Sequence, residues 1–416
     1  MPIFLLLFLF YSPLQAQFEL DGEFRPRGQF NNGFRRLPRP GEESALVFSQ
    51  RIRINGTYQH KDQLKLYFSL QDARVFGDQD DRRDQANTGF FQAWAELSIN
   101  KKLSFQLGRQ PLHYDDGYLF TNPQWKLDGR TYDAGRLKFQ DSTFQAHIVA
   151  AHNQDRVVLS ETRFQNEIYK NLQIVWLKKT FGESRASFIF TNRGLQRADS
   201  VVRYDQTFGP NIKLQKGNKF IQGIYYFQTG RDTLDRERNA NLLAIKLGYS
   251  PTNKLSFILG LDALSGTDGR TLASPNNRIN NNFDNLYGYR HKYFGIIDYF
   301  YRGFFPPSGL RDFLFYTTYK FSNRLTGKMQ LHSFHGHSDV LDPENPNNTL
   351  DDRLGFEADF LADYKLNDIT VIKFGYAHLW ATETMEAIQG GGNSDETLNF
   401  AYVELIIKPK FFSSND

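Results

Sequence analysis

The sequence predicts an all-β protein, a transmembrane antiparallel up-and-down β-barrel of about 18 strands. Three observations predict it. Apolar and polar residues alternate, in stretches of about ten residues, from Phe18 to Pro409. The stretches are joined alternately by short and by long polar connections. Aromatic residues are abundant, with 39 Phe, 21 Tyr and 4 Trp among 416 residues, and they gather at the ends of the stretches, where interfacial girdles place them.

Composition removes the other classes. Mean hydropathy is −0.54 and 40% of residues are hydrophobic. No apolar run reaches the roughly 20 residues that a membrane helix needs, and the aromatic content argues against disorder. With no cysteine, neither a disulfide scaffold nor a thiolate centre is available. The net charge of +4 is spread too evenly for a nucleic-acid face.

Met1 to Ala16 carries no charged side chain, and Ile3 to Phe10 is an apolar block of secretory length. Ser12 and Pro13 follow it, and then Leu14-Gln15-Ala16. This reads as a signal peptide, residues 1–16, cleaved after Ala16. Residues 17–416 then form one barrel domain.

In the first strand Phe18, Leu20, Phe24 and Phe30 share one parity, and Glu19, Asp21, Glu23, Arg25, Arg27 and Gln29 the other. Successive side chains of a strand point to opposite faces, so one face is apolar and one charged. The second strand repeats the rule, with Leu46, Phe48, Ile52, Ile54 and Tyr58 opposing Ser49, Arg51, Arg53 and Asn55. It recurs in Leu64–Gln71, in Leu255–Asp262 and in Arg353–Phe360, and less sharply in Ile369–His378 and Leu398–Ile407. The tight connections are His60-Lys61-Asp62 and Asn100-Lys101-Lys102. The long ones are Gly77–Gly89, Thr229–Asn239, Ser265–Asn282 and Ser338–Asp352. Aromatics mark strand ends at Tyr58, Phe90-Phe91, Tyr299-Phe300-Tyr301 and Phe411-Phe412. Allowing about 22 residues for a strand and its connection yields about 18 strands.

Two segments carry more than periodicity. One is Gly108-Arg109-Gln110-Pro111-Leu112-His113-Tyr114-Asp115-Asp116-Gly117, continuing through Trp125 to Gly129-Arg130-Thr131-Tyr132-Asp133 and Arg136. The other is Phe283-Asp284-Asn285-Leu286-Tyr287-Gly288, then His291-Lys292-Tyr293-Phe294-Gly295 and Asp298. Together with Gln71-Asp72-Ala73-Arg74-Val75, they resemble the alginate export family of outer-membrane barrels, in its Bacteroidetes-like branch. The resemblance implies a monomeric barrel with a charged lumen that passes an anionic polysaccharide across the bacterial outer membrane, in contact with its lipid.

The candidate site is a set of cations. Arg51 and Arg53 share a strand face about 6.6 Å apart, and guanidinium forks grip carboxylates and stay charged. With Arg74, Arg109, Arg130 and Arg136 they form the expected pore-lining, anion-binding set. Asp72, Asp133, Glu357 and Asp359 are the expected countercharges. The competing account is a structural ladder in which each Arg pairs with an acid of a neighbouring strand. Glu357 and Asp359 lie two residues apart, which is weak support for paired acid catalysis. His332, His335 and His337 suggest a metal, but they lie at a polar strand end with no cysteine. The acidic run Gly77–Asp81 suggests calcium, but Arg82 and Arg83 follow it directly. No hydrolase elbow, phosphate loop or zinc-protease motif occurs.

The expectation is therefore a channel for anionic polysaccharide or acidic solutes, with no enzyme activity, cofactor or metal. A substrate-selective porin importing small acidic sugars is the alternative. A carbohydrate-active all-β enzyme is the more distant one.

Overall fold

The computed structural model describes residues 16–77, 88–157, 159–160, 164, 168–197, 201–301 and 306–414. The apolar N-terminal block and the acidic run after Gly77 lie outside the described residues. Eighteen long strands follow one another around a closed wall. They begin with β1 (Ala16–Asn32), β2 (Ala45–His60), β3 (Leu64–Val75), β4 (Gly89–Ser98), β5 (Leu103–Gln110) and β6 (Tyr132–Gln140). Next come β7 (Phe144–His152), β8 (Asn171–Phe181), β9 (Ser184–Gln196), β10 (Val202–Lys216), β11 (Lys219–Arg231), β12 (Glu237–Tyr249) and β13 (Leu255–Leu264). After the two-residue β14 (Ile279–Asn280), the wall resumes with β15 (Leu310–Lys320), β16 (Leu325–His335), β17 (Arg353–Lys365), β18 (Thr370–Ala381) and β19 (Leu398–Ile407). A short β20 (Lys410–Ser413) continues the pairing along β1.

Every wall strand pairs antiparallel with its neighbours. The cylinder closes where β19 meets β1, with Glu404 opposite Arg27 and Val403 opposite Gly28. The short turns, among them 61–63, 99–102, 182–183 and 217–218, lie at the end that holds Ala16. The long connections 33–44, 111–131, 265–309 and 336–352 lie at the other. Alternation sorts the faces as expected. Leu46, Phe48 and Ile54 are 70%, 53% and 43% exposed on the outside, while Arg51 between them is 1% exposed on the inside.

Three local readings change. The stretch Thr229–Asn239 is not a long connection, since β11 runs to Arg231 and β12 starts at Glu237. Asp232 tightens the turn between them by accepting from the backbone N–H of Leu234 and of Arg236, both at 2.9 Å. Polar sequence misled there because strand ends beyond the bilayer need no apolar face. Tyr299 and Phe300 do not join a girdle. They are buried in the lumen, unlike Phe90, Phe411 and Phe412, which are exposed. Leu354 also departs from its apolar parity, because the register shift between β16 and β17 at His335 turns it into the core.

The lumen is occupied by the chain itself. Connection 111–131 and residues 283–301 of the connection after β13 fold inward, because segments carrying Leu112, Tyr118, Phe120, Tyr287, Phe294 and Ile297 are too apolar to remain in water. They bind each other as well as the wall. Tyr287 donates its N–H to Leu119 O (2.9 Å) and Tyr289 to Gly117 O (3.0 Å). The rings of Tyr118 and Tyr293 stack at 4.0 Å. Two short helices sit in the second loop, α1 (Gly269–Ala273) and α2 (Arg290–Tyr293), and α3 (Glu383–Gln389) lies between β18 and β19.

A closed barrel of this kind should stay folded in detergent until boiled. Unheated protein is expected to migrate faster on a gel than boiled protein, and identical migration would exclude closure.

Candidate functional site

One wall of the lumen is a ladder of arginines on β1 and β2. Alternation places Glu23, Arg25 and Arg27 inward on β1, and Arg51 and Arg53 inward on β2. Arg51 pairs with Glu23 at 2.6 Å, and Arg25 with Glu404 of β19 at 2.6 Å. Arg53 and Arg27 reach the same two acids at 4.0 and 3.7 Å. Two carboxylates therefore serve four guanidiniums, each of which carries five N–H donors.

The surplus donors hold the first inward loop by its backbone. Arg25 Nη1 donates to Gln124 O (2.7 Å) and Arg27 Nη1 to Trp125 O (2.8 Å). Arg51 Nη1 donates to Lys126 O and Leu127 O, both at 3.3 Å, and Gln71 Nε2 to Asp128 O (3.1 Å). Five successive carbonyls are thus gripped by side chains of the wall. Arg27 also lies over the Trp125 ring and Arg53 over that of Phe91, each 3.8 Å from the ring centre.

The second loop is fastened on the far side by Asp284. Its carboxylate accepts from Arg193 Nη1 (2.8 Å), and Arg193 also pairs with Asp205 of β10 at 2.5 Å. Gln228 brackets the same residue, accepting from Asp284 N at 2.8 Å and donating to Asp284 O at 2.7 Å. Burial pushes the Asp284 carboxyl up, but the neighbouring Arg193, Arg290 and Arg238 outweigh it. They hold that carboxyl well below the usual carboxylate range.

Between the two loops, toward the long-loop end, lies a cavity of about 460 Å³. Arg35, Lys126, Arg130, Arg290 and His291 line it, with Asp298 as its one acid. Asp298 is engaged by Arg35 (3.3 Å) and by His291 Nδ1 (3.1 Å). His291 stacks on Trp125 at 4.1 Å, so that ring is clasped between His291 and Arg27.

The ten residues expected at the site separate by face. Arg51, Arg53, Glu357 and Asp359 line the interior of the wall and are buried. Arg136 also points inward and donates to Gln106 Oε1 (2.6 Å). Arg130 lies in the cavity between the loops, with Nη1 on Tyr287 O. The other four point outward and are not pore-lining. Asp72 and Arg74 stand opposite Ile52 and Gln50 and pair with each other at 2.6 Å. Arg109 and Asp133, opposite one another on β5 and β6, pair at 2.9 Å and are about half exposed. The parity of Ile52 on β2 and of Leu107 on β5 carries the signal that would have placed them.

Glu357 and Asp359 meet no arginine among the described residues. They face a loop backbone and His332 instead. His332 is bonded to Asp312 and His335 to Asp352, and no cluster able to hold a metal occurs among the described residues. Arg25, Arg27, Arg193, Asp284 and Asp298 were not among the expected site residues. For the first two the signal was already present, on the same strand parity as Glu23.

Known proteins place this architecture. Solved structures with the same fold include Acinetobacter baumannii OccAB4, with a TM-score of 0.62 and 13% identity over 94% of this chain and 98% of that one. Pseudomonas aeruginosa OccK9 superposes with a TM-score of 0.63 and 12% identity, over 95% and 98% of the two chains. The P. aeruginosa outer membrane protein OpdK, solved with vanillate, has a TM-score of 0.60 and 10% identity, over 95% and 99%. No curated protein matches the sequence significantly. The alginate export family matches residues 16–398; the chain belongs to that family, and it is an 18-stranded channel of the bacterial outer membrane.

Proposed function

We propose that the channel passes anionic solutes, either an anionic polysaccharide or its acidic sugar units. The observation that carries this reading is the cavity between the two inward loops. Four permanent cations and one imidazole line it against a single carboxylate, which is itself engaged by Arg35 and His291. Lys126 is paired with Asp128 (3.0 Å) and Arg290 with Asp284 (3.4 Å). The charge offered to an anion entering from the long-loop end therefore centres on Arg130, which has no carboxylate partner among the described residues, in a cleft that focuses the field. Arginine dominates the lining, and its planar fork suits carboxylates.

The porin alternative keeps one specific support. A cavity of about 460 Å³ matches a small ligand site, for which pockets of about 300–1,000 Å³ are usual. A continuous polymer would need the two loops to move. OpdK, which shares the fold, was solved with vanillate, a small carboxylate.

Replacing Lys126 and Arg130 together by Glu tests the reading, since neither lies in the wall. In planar bilayers with a salt gradient, the reversal potential of this variant is expected to shift toward cation preference. Block by a small uronic acid is expected to weaken about tenfold or more, as for the loss of two charge-assisted contacts. An unchanged reversal potential and unchanged block would overturn the anion reading.

A further inference from the structure

Opposite the arginine ladder the lumen wall is acidic. Asp262, Asp312, Glu357 and Asp359 project inward from β13, β15 and β17, and all are fully buried. Two of them have a basic partner. Asp262 lies 3.7 Å from Lys246 Nζ of β12 and accepts from the Tyr118 hydroxyl at 2.6 Å. Asp312 bonds His332 Nδ1 of β16 at 2.8 Å. The remaining pair, Glu357 and Asp359, has no base of its own among the described residues. His332 Nε2 is 4.0 Å from Asp359, beyond hydrogen-bond reach. On β18 the residues opposite the pair are Leu379 and Ala377. Tyr316 of β15 and Tyr299 complete the ionisable surroundings of the pair among the described residues.

The inward loop is seated on this pair. Ile297 donates its N–H to Glu357 Oε1 at 3.0 Å. Gly295, at φ +79°, packs so closely that a Cβ there would collide with the Glu357 carboxyl. This explains the glycine in the His291–Asp298 segment: the chain needs a left-handed turn and also a residue without a side chain. Among the described residues, Glu357 Oε2 and both Asp359 carboxyl oxygens are buried with no donor in good hydrogen-bond geometry; their nearest polar neighbours are each other and the Ile296 N–H. Two buried carboxylates side by side, with acceptors only, are not a stable arrangement. One carboxylate and one carboxylic acid sharing a proton are.

We propose that Glu357 and Asp359 are the latch that seats residues 294–297 in the lumen. The pair is closed while it shares a proton, and it releases the segment, widening the channel, when that proton is lost. The proposal rests on the chain being a channel and not on the charge of its solute.

The chain has no cysteine, and Ile297 is fully buried, so an Ile297→Cys variant reports seating directly. Its labelling by a membrane-impermeant maleimide in reconstituted vesicles is normalised to that of Asn367→Cys, an exposed turn residue. Between about pH 6 and about pH 9 the normalised rate is expected to rise at least about tenfold, following proton loss. Conductance in bilayers is expected to rise over the same range. In the Glu357→Gln, Asp359→Asn background the two amides keep an acceptor for Ile297 N–H and a donor between them, so labelling is expected to stay slow at every pH. Heat-modifiable migration confirms that this variant is folded. A pH-independent rate in the parent would overturn the latch. So would a persisting rise in the amide variant, or fast labelling of that variant at all pH values.

Discussion

Arg51→Glu is expected to release the first inward loop and convert a narrowed lumen into a wider one. Arg51 is 1% exposed, bonds Glu23 through two nitrogens at 2.9 and 2.6 Å, and holds the carbonyls of Lys126 and Leu127. A glutamate there would confront Glu23 inside the barrel and offer the loop carbonyls no donor. Breaking a buried pair from one side costs about 3–5 kcal/mol, and the loss of the two carbonyl bonds adds to it. The wall itself is a closed hydrogen-bonded cylinder and should persist, so the cost falls on residues 124–128. The expected result is a larger single-channel conductance with the barrel still heat-modifiable. Adding Arg53→Glu should deepen the effect and lower anion preference. Unchanged conductance in the double variant would show that the ladder does not hold the loop.

The second large effect is expected from Arg193→Ala. Arg193 is almost fully buried and joins Asp205 on the wall to Asp284 in the second loop. Its removal leaves two carboxylates facing each other in the lumen. Arg238, 3.5 Å from Asp205, remains as partial compensation. A loss of about 3–5 kcal/mol in loop seating is expected, read as faster proteolysis within residues 283–294 under conditions where the wall resists. Because Arg193 and its neighbours hold the Asp284 carboxyl below its ordinary range, its contribution is fully present above the unfolded value of about 3.9. That contribution is lost only as the pH falls through the lower folded value. The parent protein should therefore keep this segment protected equally at about pH 5 and about pH 7. Equal proteolysis of parent and variant would remove Arg193 from the list of fasteners.

Much of this was legible along single strands. Leu46, Phe48, Ile52 and Ile54 against Ser49, Arg51 and Arg53 reveal a wall with a lipid face and a wet face, because strand geometry has a strict two-residue period. What periodicity could not reveal was the register between strands. Asp72 and Arg109 look like lumen residues by charge alone, although the parity of Leu70 on β3 and of Leu107 on β5 turns them outward, and the register sets them opposite Ile52 and Asp133. The two motif segments were recognisable but their role was not. Gly295 is required by the position of Glu357, some sixty residues further on, and Gln124–Leu127 by arginines 75 to 99 residues earlier in the chain.

The sequence by itself determined the strand count, the closed wall, the membrane setting and the family, since each follows from local alternation or from contiguous motifs. Only the tertiary structure decided that the lumen is filled by its own loops. It also decided that an arginine wall holds one loop by its carbonyls and a carboxylate wall holds the other by an amide. Those contacts join residues far apart in the chain, and whether a buried charge faces solute, lipid or its own backbone is settled only when the cylinder closes.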